Sequence, residues 1–84
     1  MDLRKHFGEN LRREREAAGL TQEELAHRAR LHRTTISLHE RGKRMPRLDT
    51  IVCLTRALEL GSPDELLGGV MAFAHTPPSA PDRR

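Results

Sequence analysis

Between Arg28 and Arg47 the chain gathers seven cations, Arg28, Arg30, Arg33, Arg41, Lys43, Arg44 and Arg47, against one acidic residue, Glu40. Thr34, Thr35 and Ser37 lie among them, and their hydroxyls can donate and accept. A guanidinium can fork onto guanine O6 and N7 or onto phosphate, and a threonine or leucine methyl can rest on a thymine methyl. That chemistry suits nucleic acid, although a charge run is also what a merely solvated face looks like. Other chemistries are poorly served. His27, His32 and His39 lack the i, i+4 spacing or cysteine partners of a zinc site, so no metal is expected. No Ser-His-Asp set or carboxylate pair fits a pocket, and a chain of 84 residues has little room for one, so neither an enzyme nor a cofactor is expected.

The elements that must position these residues follow from periodicity and caps. Leu3, Phe7, Leu11 and Ala18 recur at helical spacing, predicting a helix over residues 3 to 18 that stops at Gly19. Arg15 lies on the same side as Leu11, an odd place for a solvated charge. Thr21-Gln22-Glu23-Glu24 has the form of a capping box, with Leu20 and Leu25 at the positions of a hydrophobic staple, and opens a helix from Gln22 to Ala29. Leu31, Ile36 and His39 face inward on a third helix, His32 to Arg41, leaving Arg33, Thr34, Ser37 and Leu38 outward. Gly42 ends it. Past Pro46, residues Leu48, Ile51, Leu54, Thr55 and Leu58 define a fourth helix to about Leu60. Ser62-Pro63-Asp64-Glu65 opens a short fifth one that Gly68-Gly69 stops.

Composition bounds the rest. Phe7 and Phe73 are the only aromatics, so the core is expected to be aliphatic. The lone Cys53 excludes an internal disulfide, fits a reducing compartment and reads as a small buried hydrophobe. No apolar run could span a bilayer and the first residues, MDLRKHFGEN, carry no signal-like stretch, so a cytoplasmic location is expected. The organisation expected is a DNA-binding domain over 1–69, a short apolar segment at 70–75 able to make a dimer contact, and a disordered Pro-rich tail at 76–84.

Two short helices joined by a turn of about three residues make a helix-turn-helix layout. The segment TQEELAHRARLHRTTISLHERGKRMPRLDTI, with FGENLRREREAAGL before it and RALELGSPDELL after it, resembles the Cro and phage-repressor (XRE) family. Its most specific pieces are Gly19 to Ala26 and Ile36-Ser37 with Glu40-Arg41-Gly42. Within the family, the short chain with LHRTTIS is similar to restriction-modification controller proteins.

The resemblance implies an all-α, compact five-helix bundle of the lambda-repressor-like type that binds double-stranded DNA as a homodimeric transcriptional regulator, on a palindromic operator. It implies that Arg33, Thr34, Ser37 and Leu38 face bases, and that Thr21, Gln22, Lys43, Arg44 and Arg47 meet the DNA backbone. Arg15 and Glu40 match the family's buried ion pair. Dimer contacts are expected from Leu66, Leu67, Val70, Met71 and Phe73. The competing reading is an antitoxin or other protein-interaction module whose DNA binding is secondary, against which the short tail argues.

Five positions depart from the pattern. Arg30 stands in the turn where relatives have Gly, and a left-handed backbone there costs a residue with a Cβ roughly 1 to 2 kcal/mol. His32 and Arg47 are weak N-caps. Glu14 and His39 replace apolar residues, and a hydrogen bond between them is one expectation, separate contacts with water the other.

Overall fold

The computed structural model describes residues 2–68 as four α-helices and a single 3-10 turn, with no strand among them. The helices are α1 (Leu3–Ala17), α2 (Gln22–Ala29), α3 (Arg33–Glu40) and α4 (Leu48–Ala57), and the 3-10 turn is Pro63–Glu65. Val70, Met71, Phe73 and the expected tail lie outside the described residues.

Each helix starts and stops for local reasons. Asp2 caps α1 by accepting from the Arg4 amide at 3.0 Å. At α2 the capping box is complete: Thr21 Oγ1 accepts from the Glu24 amide at 3.0 Å, and Glu24 Oε1 accepts from the Thr21 amide at 2.8 Å. All four α-helices end on one device, a left-handed residue followed by an amide that reaches back to the carbonyl five residues earlier. The left-handed residues are Gly19 and Gly42, with φ of 74° and 69°, and Arg30 and Glu59, with φ of 59° and 57°. The returning bonds run from Leu20 to Arg15 (3.1 Å), Leu31 to Ala26 (2.8 Å), Lys43 to Leu38 (2.9 Å) and Leu60 to Thr55 (3.0 Å). Leu20, Leu31 and Leu60, each just past the left-handed residue, then pack against the core.

Two expectations are corrected here. The fourth helix stops at Ala57 because Glu59 turns left-handed, where the sequence predicts continuation to Leu60. The fifth helix is only a 3-10 turn, so the bundle has four α-helices: between Gly61 and Gly68 the chain has too few residues to repay helix nucleation, although Ser62 Oγ does accept from the Asp64 amide at 3.0 Å.

The core is Phe7, Leu11, Leu25, Ala26, Ala29, Ile36, Leu54, Leu58 and Leu66, with Leu31, Ile51 and Cys53 half-buried around it. Ala18 and Leu48, expected to face inward, are exposed, because each sits at the end of its helix, beyond the packed face. Thr50 and Thr55 are buried on α4, and the Thr55 hydroxyl donates to the Ile51 carbonyl at 2.7 Å.

Asn10 is buried in α1 and donates from Nδ2 to the carbonyls of Leu66 (3.0 Å) and Gly68 (2.9 Å), while His6 Nε2 donates to the same Gly68 carbonyl at 2.7 Å. Those bonds tie the end of the described chain to α1. Leu66, expected at a dimer contact, has 0% exposure and belongs to the core; Leu67 is half-buried. No helix is long and apolar enough to cross a membrane among the described residues.

Candidate nucleic-acid interface

A lock of charges behind α3 fixes its direction. Arg15 donates from Nε to Glu40 Oε2 at 2.6 Å and from Nη2 to Glu40 Oε1 at 3.1 Å, a two-pronged ion pair between α1 and the last turn of α3. Gln22 Nε2 donates to the same Oε1 at 3.0 Å, and Arg15 Nη1 donates to the Leu20 carbonyl at 2.7 Å. One guanidinium thus ties α1 to the turn before α2 and to α3, and the Glu40 carboxylate in turn holds α2 through Gln22. The Glu40 side chain is 4% exposed and that of Arg15 12%, so solvent screens the pair little. The hydrogen bonds from Arg15 to Glu40 raise the arginine's pKa above its ordinary value.

Close backbone approach reinforces this clamp. A Cβ on Gly8 would overlap the His39 carbonyl, and one on Gly42 would lie 2.9 Å from the Lys5 Cα. A glycine in the middle of an otherwise well-formed helix is the signal that could have marked Gly8. The bond from Gln22 to Glu40 and the burial of Asn10 had no such marker.

Held this way, α3 turns Arg33 and Thr34 into solvent in its first turn, with Ser37 and Leu38 half-buried one turn later. His32 makes no side-chain cap at α3 and Arg47 makes none at α4, so the first amides of both helices keep no side-chain acceptor. At α2 the capping box uses the Thr21 and Glu24 amides, leaving those of Gln22 and Glu23 and the proton of the Thr21 hydroxyl. The Thr21 amide hydrogen bond also lowers the pKa of Glu24, so its carboxylate stays charged in the box.

The loop after α3 carries Lys43, Arg44 and Arg47, all exposed. Among the described residues no ion pair engages Arg33, Lys43 or Arg44, whereas Arg47 Nε lies 3.5 Å from Asp49 Oδ1. The face is therefore cationic, with Arg33, Lys43 and Arg44 outside any ion pair among the described residues, and it combines a helix N-terminus with side chains able to reach outward. Arg30, left-handed as the turn requires, is exposed.

His39 and Glu14 do not meet. No hydrogen bond joins them among the described residues; Glu14 Oε2 lies 3.9 Å from Arg13 Nη2. His39 Nδ1 instead donates to the Arg44 carbonyl at 3.2 Å, and its ring stands edge-on to Phe7 with centroids 6.0 Å apart and planes at 87°. A carbonyl can only accept, so Nδ1 carries the proton. Burial of the ring, 2% exposed, lowers its pKa from the ordinary 6.5; the hydrogen bond to the Arg44 carbonyl opposes this shift and the Arg44 charge adds to it. Among the described residues no cluster of three or more potential ligands could hold a metal ion.

Fold and site together define a helix-turn-helix domain whose second helix is presented outward by a buried charge lock. Residues 6–67 match the helix-turn-helix domain family, and the chain belongs to it, in the XRE type of DNA-binding transcriptional regulators, which are not enzymes. It is 40% identical to the control protein C.SmaI of Serratia marcescens over 63 residues, 75% of either chain. It is 41% identical to the crystal structure of the restriction-modification controller protein C.AhdI from Aeromonas hydrophila, covering 75% of this chain and 94% of that one at a TM-score of 0.72. The wild-type controller protein C.Esp1396I, at 24% identity, shares the fold over 89% of this chain with a TM-score of 0.75.

Proposed function

We propose that this protein binds double-stranded DNA sequence-specifically as a homodimer, with α3 in the major groove, and regulates transcription in the manner of a restriction-modification controller. The observation that carries the reading is the pairing of a locked helix with an unpaired cationic surface. Arg15, Glu40 and Gln22 bind one another behind α3, while Arg33, Lys43 and Arg44 in front of it have no anionic partner among the described residues.

In this reading Arg33, Thr34, Ser37 and Leu38 read base edges. Arg33 suits guanine, and the methyls of Thr34 and Leu38 suit thymine. Lys43, Arg44 and Arg47 hold the phosphate backbone from one side. The amides of Gln22 and Glu23 and the Thr21 hydroxyl hold it from the other, aided by the positive end of α2. Gln22 contributes through its main chain, since its side chain belongs to the charge lock. Arg15 and Glu40 are scaffold.

One helix of eight residues in one half-site buries little surface, so affinity and specificity call for two copies on a palindrome with half-sites about 34 Å apart. Leu67 with Val70, Met71 and Phe73 is the segment proposed to join them, in a domain bounded at about residue 69. The proposed location is the cytoplasm, where DNA is accessible.

Selection of duplexes from a random pool by the purified protein tests this. Enrichment of two inverted half-sites, with a mass in solution of two chains per duplex, is the expected result. A pool that stays random after several rounds would refute sequence-specific binding and favour a protein-interaction module.

A further inference from the structure

His39 is the one buried titratable ring among the described residues that neither the charge lock nor the outward face uses. We propose that His39 is a positioning residue for DNA binding. From the inner face of α3, its Nδ1 proton fixes the loop that carries the backbone-gripping cations. The inference rests on the reading that α3 and this loop engage DNA.

The loop from Arg41 to Arg47 is irregular, and its hydrogen bonds are unevenly spread. At its start the Gly42 and Lys43 amides return to the His39 and Leu38 carbonyls at 3.0 and 2.9 Å, and at its end the Arg47 carbonyl accepts from the Ile51 amide at 3.0 Å. Across Arg44, Met45 and Pro46 the only hydrogen bond among the described residues is the one from His39 to the Arg44 carbonyl, at 3.2 Å. Pro46 has no amide to give and Met45 is 52% exposed, so packing holds this stretch weakly.

The ring is itself held. It stands edge-on to Phe7, and its own carbonyl presses against Gly8, so α1 fixes both the plane of the imidazole and its height. An apolar residue at position 39 would fill the same space but leave the Arg44 carbonyl without this donor. One helix then performs two tasks: its outer side chains meet bases, and its inner one sets where the neighbouring cations meet phosphate. The register between the two is built into α3.

The test uses the full chain, a duplex bearing the selected operator and a scrambled duplex of equal length, titrated by fluorescence anisotropy over a series of KCl concentrations. His39→Leu, which keeps the apolar volume, is expected to retain the helical circular dichroism of the wild type. It should bind both duplexes about 3- to 10-fold more weakly, the span of one neutral hydrogen bond, and flatten the salt slope by about one unit, the share of one phosphate contact. His39→Asn, whose Nδ2 stands near the place of the imidazole Nδ1, should recover most of the affinity and slope, which mere packing would not predict. Wild-type affinity and slope in His39→Leu would overturn the proposal, and so would an Asn variant no better than Leu.

Nitrogen-15 NMR of the wild-type ring provides a check independent of any variant. The Nδ1–H tautomer is expected, and the Nε2–H tautomer contradicts the bond. Arg44→Ala separates the role of the loop from that of His39. If it leaves the salt slope untouched, the DNA-facing assignment of the loop fails; if it flattens the slope while His39→Leu does not, only the role of His39 fails.

Discussion

Replacing Arg15 with Met leaves the Glu40 carboxylate in place but removes three of the hydrogen bonds that tie α1 and the turn after it to the rest: two to Glu40, at 2.6 and 3.1 Å, and one to the Leu20 carbonyl at 2.7 Å. The remaining donor on Glu40 is Gln22 Nε2, which carries no charge. At 4% exposure the Glu40 side chain has little water to replace what is lost. Stranding one member of a buried pair typically costs about 3 to 5 kcal/mol, whereas replacing both members with apolar residues is often close to neutral. A domain of this size has a total stability of about 5 to 10 kcal/mol, so the single variant loses roughly half of it. At about 4 to 8 °C per kcal/mol its melting temperature should fall by roughly 12 to 40 °C. Urea unfolding followed by circular dichroism measures this directly, in a cycle of Arg15→Met, Glu40→Leu and the double variant. The double variant should regain most of the stability lost by either single one, giving a coupling energy of about 2 kcal/mol or more. Additive losses, or a single-variant loss under about 1 kcal/mol, would refute the claim that this pair locks the recognition helix.

Other outcomes follow from the same geometry. Arg30 is left-handed at φ 59°, so Arg30→Gly relieves about 1 to 2 kcal/mol of strain, less the entropy that glycine adds to the unfolded chain; a higher melting temperature by a few degrees is the check. Gly8→Ala places a Cβ against the His39 carbonyl, so overpacking should cost about 1 to 3 kcal/mol in urea unfolding, against the slight gain that alanine brings to an unhindered helix. His39 is buried and its pKa lies below the ordinary 6.5, so the unfolded chain takes up a proton that the folded one resists. Its part of the stability is therefore constant above about pH 6.5 and declines as pH falls below it, and His39→Leu should show a flatter stability profile on the acid side.

The sequence exposes what is local. The capping box at Thr21 and Glu24 is legible because both partners lie within one turn, and α2 and α3 fall within a residue of their predicted ends. Arg15 stands out in the sequence as a charge on an apolar face, but its pairing with Glu40 follows only from the family resemblance, because the partner is 25 residues away. Asn10 reads as an ordinary surface residue of α1, and its acceptors lie 56 and 58 residues on. His39 could be marked as anomalous but not paired. Its acceptor is a backbone carbonyl, which every residue carries, so side-chain types pointed to Glu14 instead. Glu59 shows the same limit from another side: a left-handed stop without glycine or asparagine leaves no trace in composition. A fifth helix is expected because Ser62, Pro63 and Glu65 make a sound helix start, but length decides whether a start becomes a helix.

The central claim is that α3 reads bases while the loop after it grips the backbone. The most direct measurement compares Arg33→Ala with Arg44→Ala on operator and scrambled duplexes across a salt series. Arg33→Ala should cost about 1 to 3 kcal/mol on the operator, relax base preference at one position of each half-site and change scrambled binding little. Arg44→Ala should weaken both duplexes alike and lower the salt slope by about one unit. If the two variants lose affinity equally on both duplexes, the division of roles between helix and loop is contradicted.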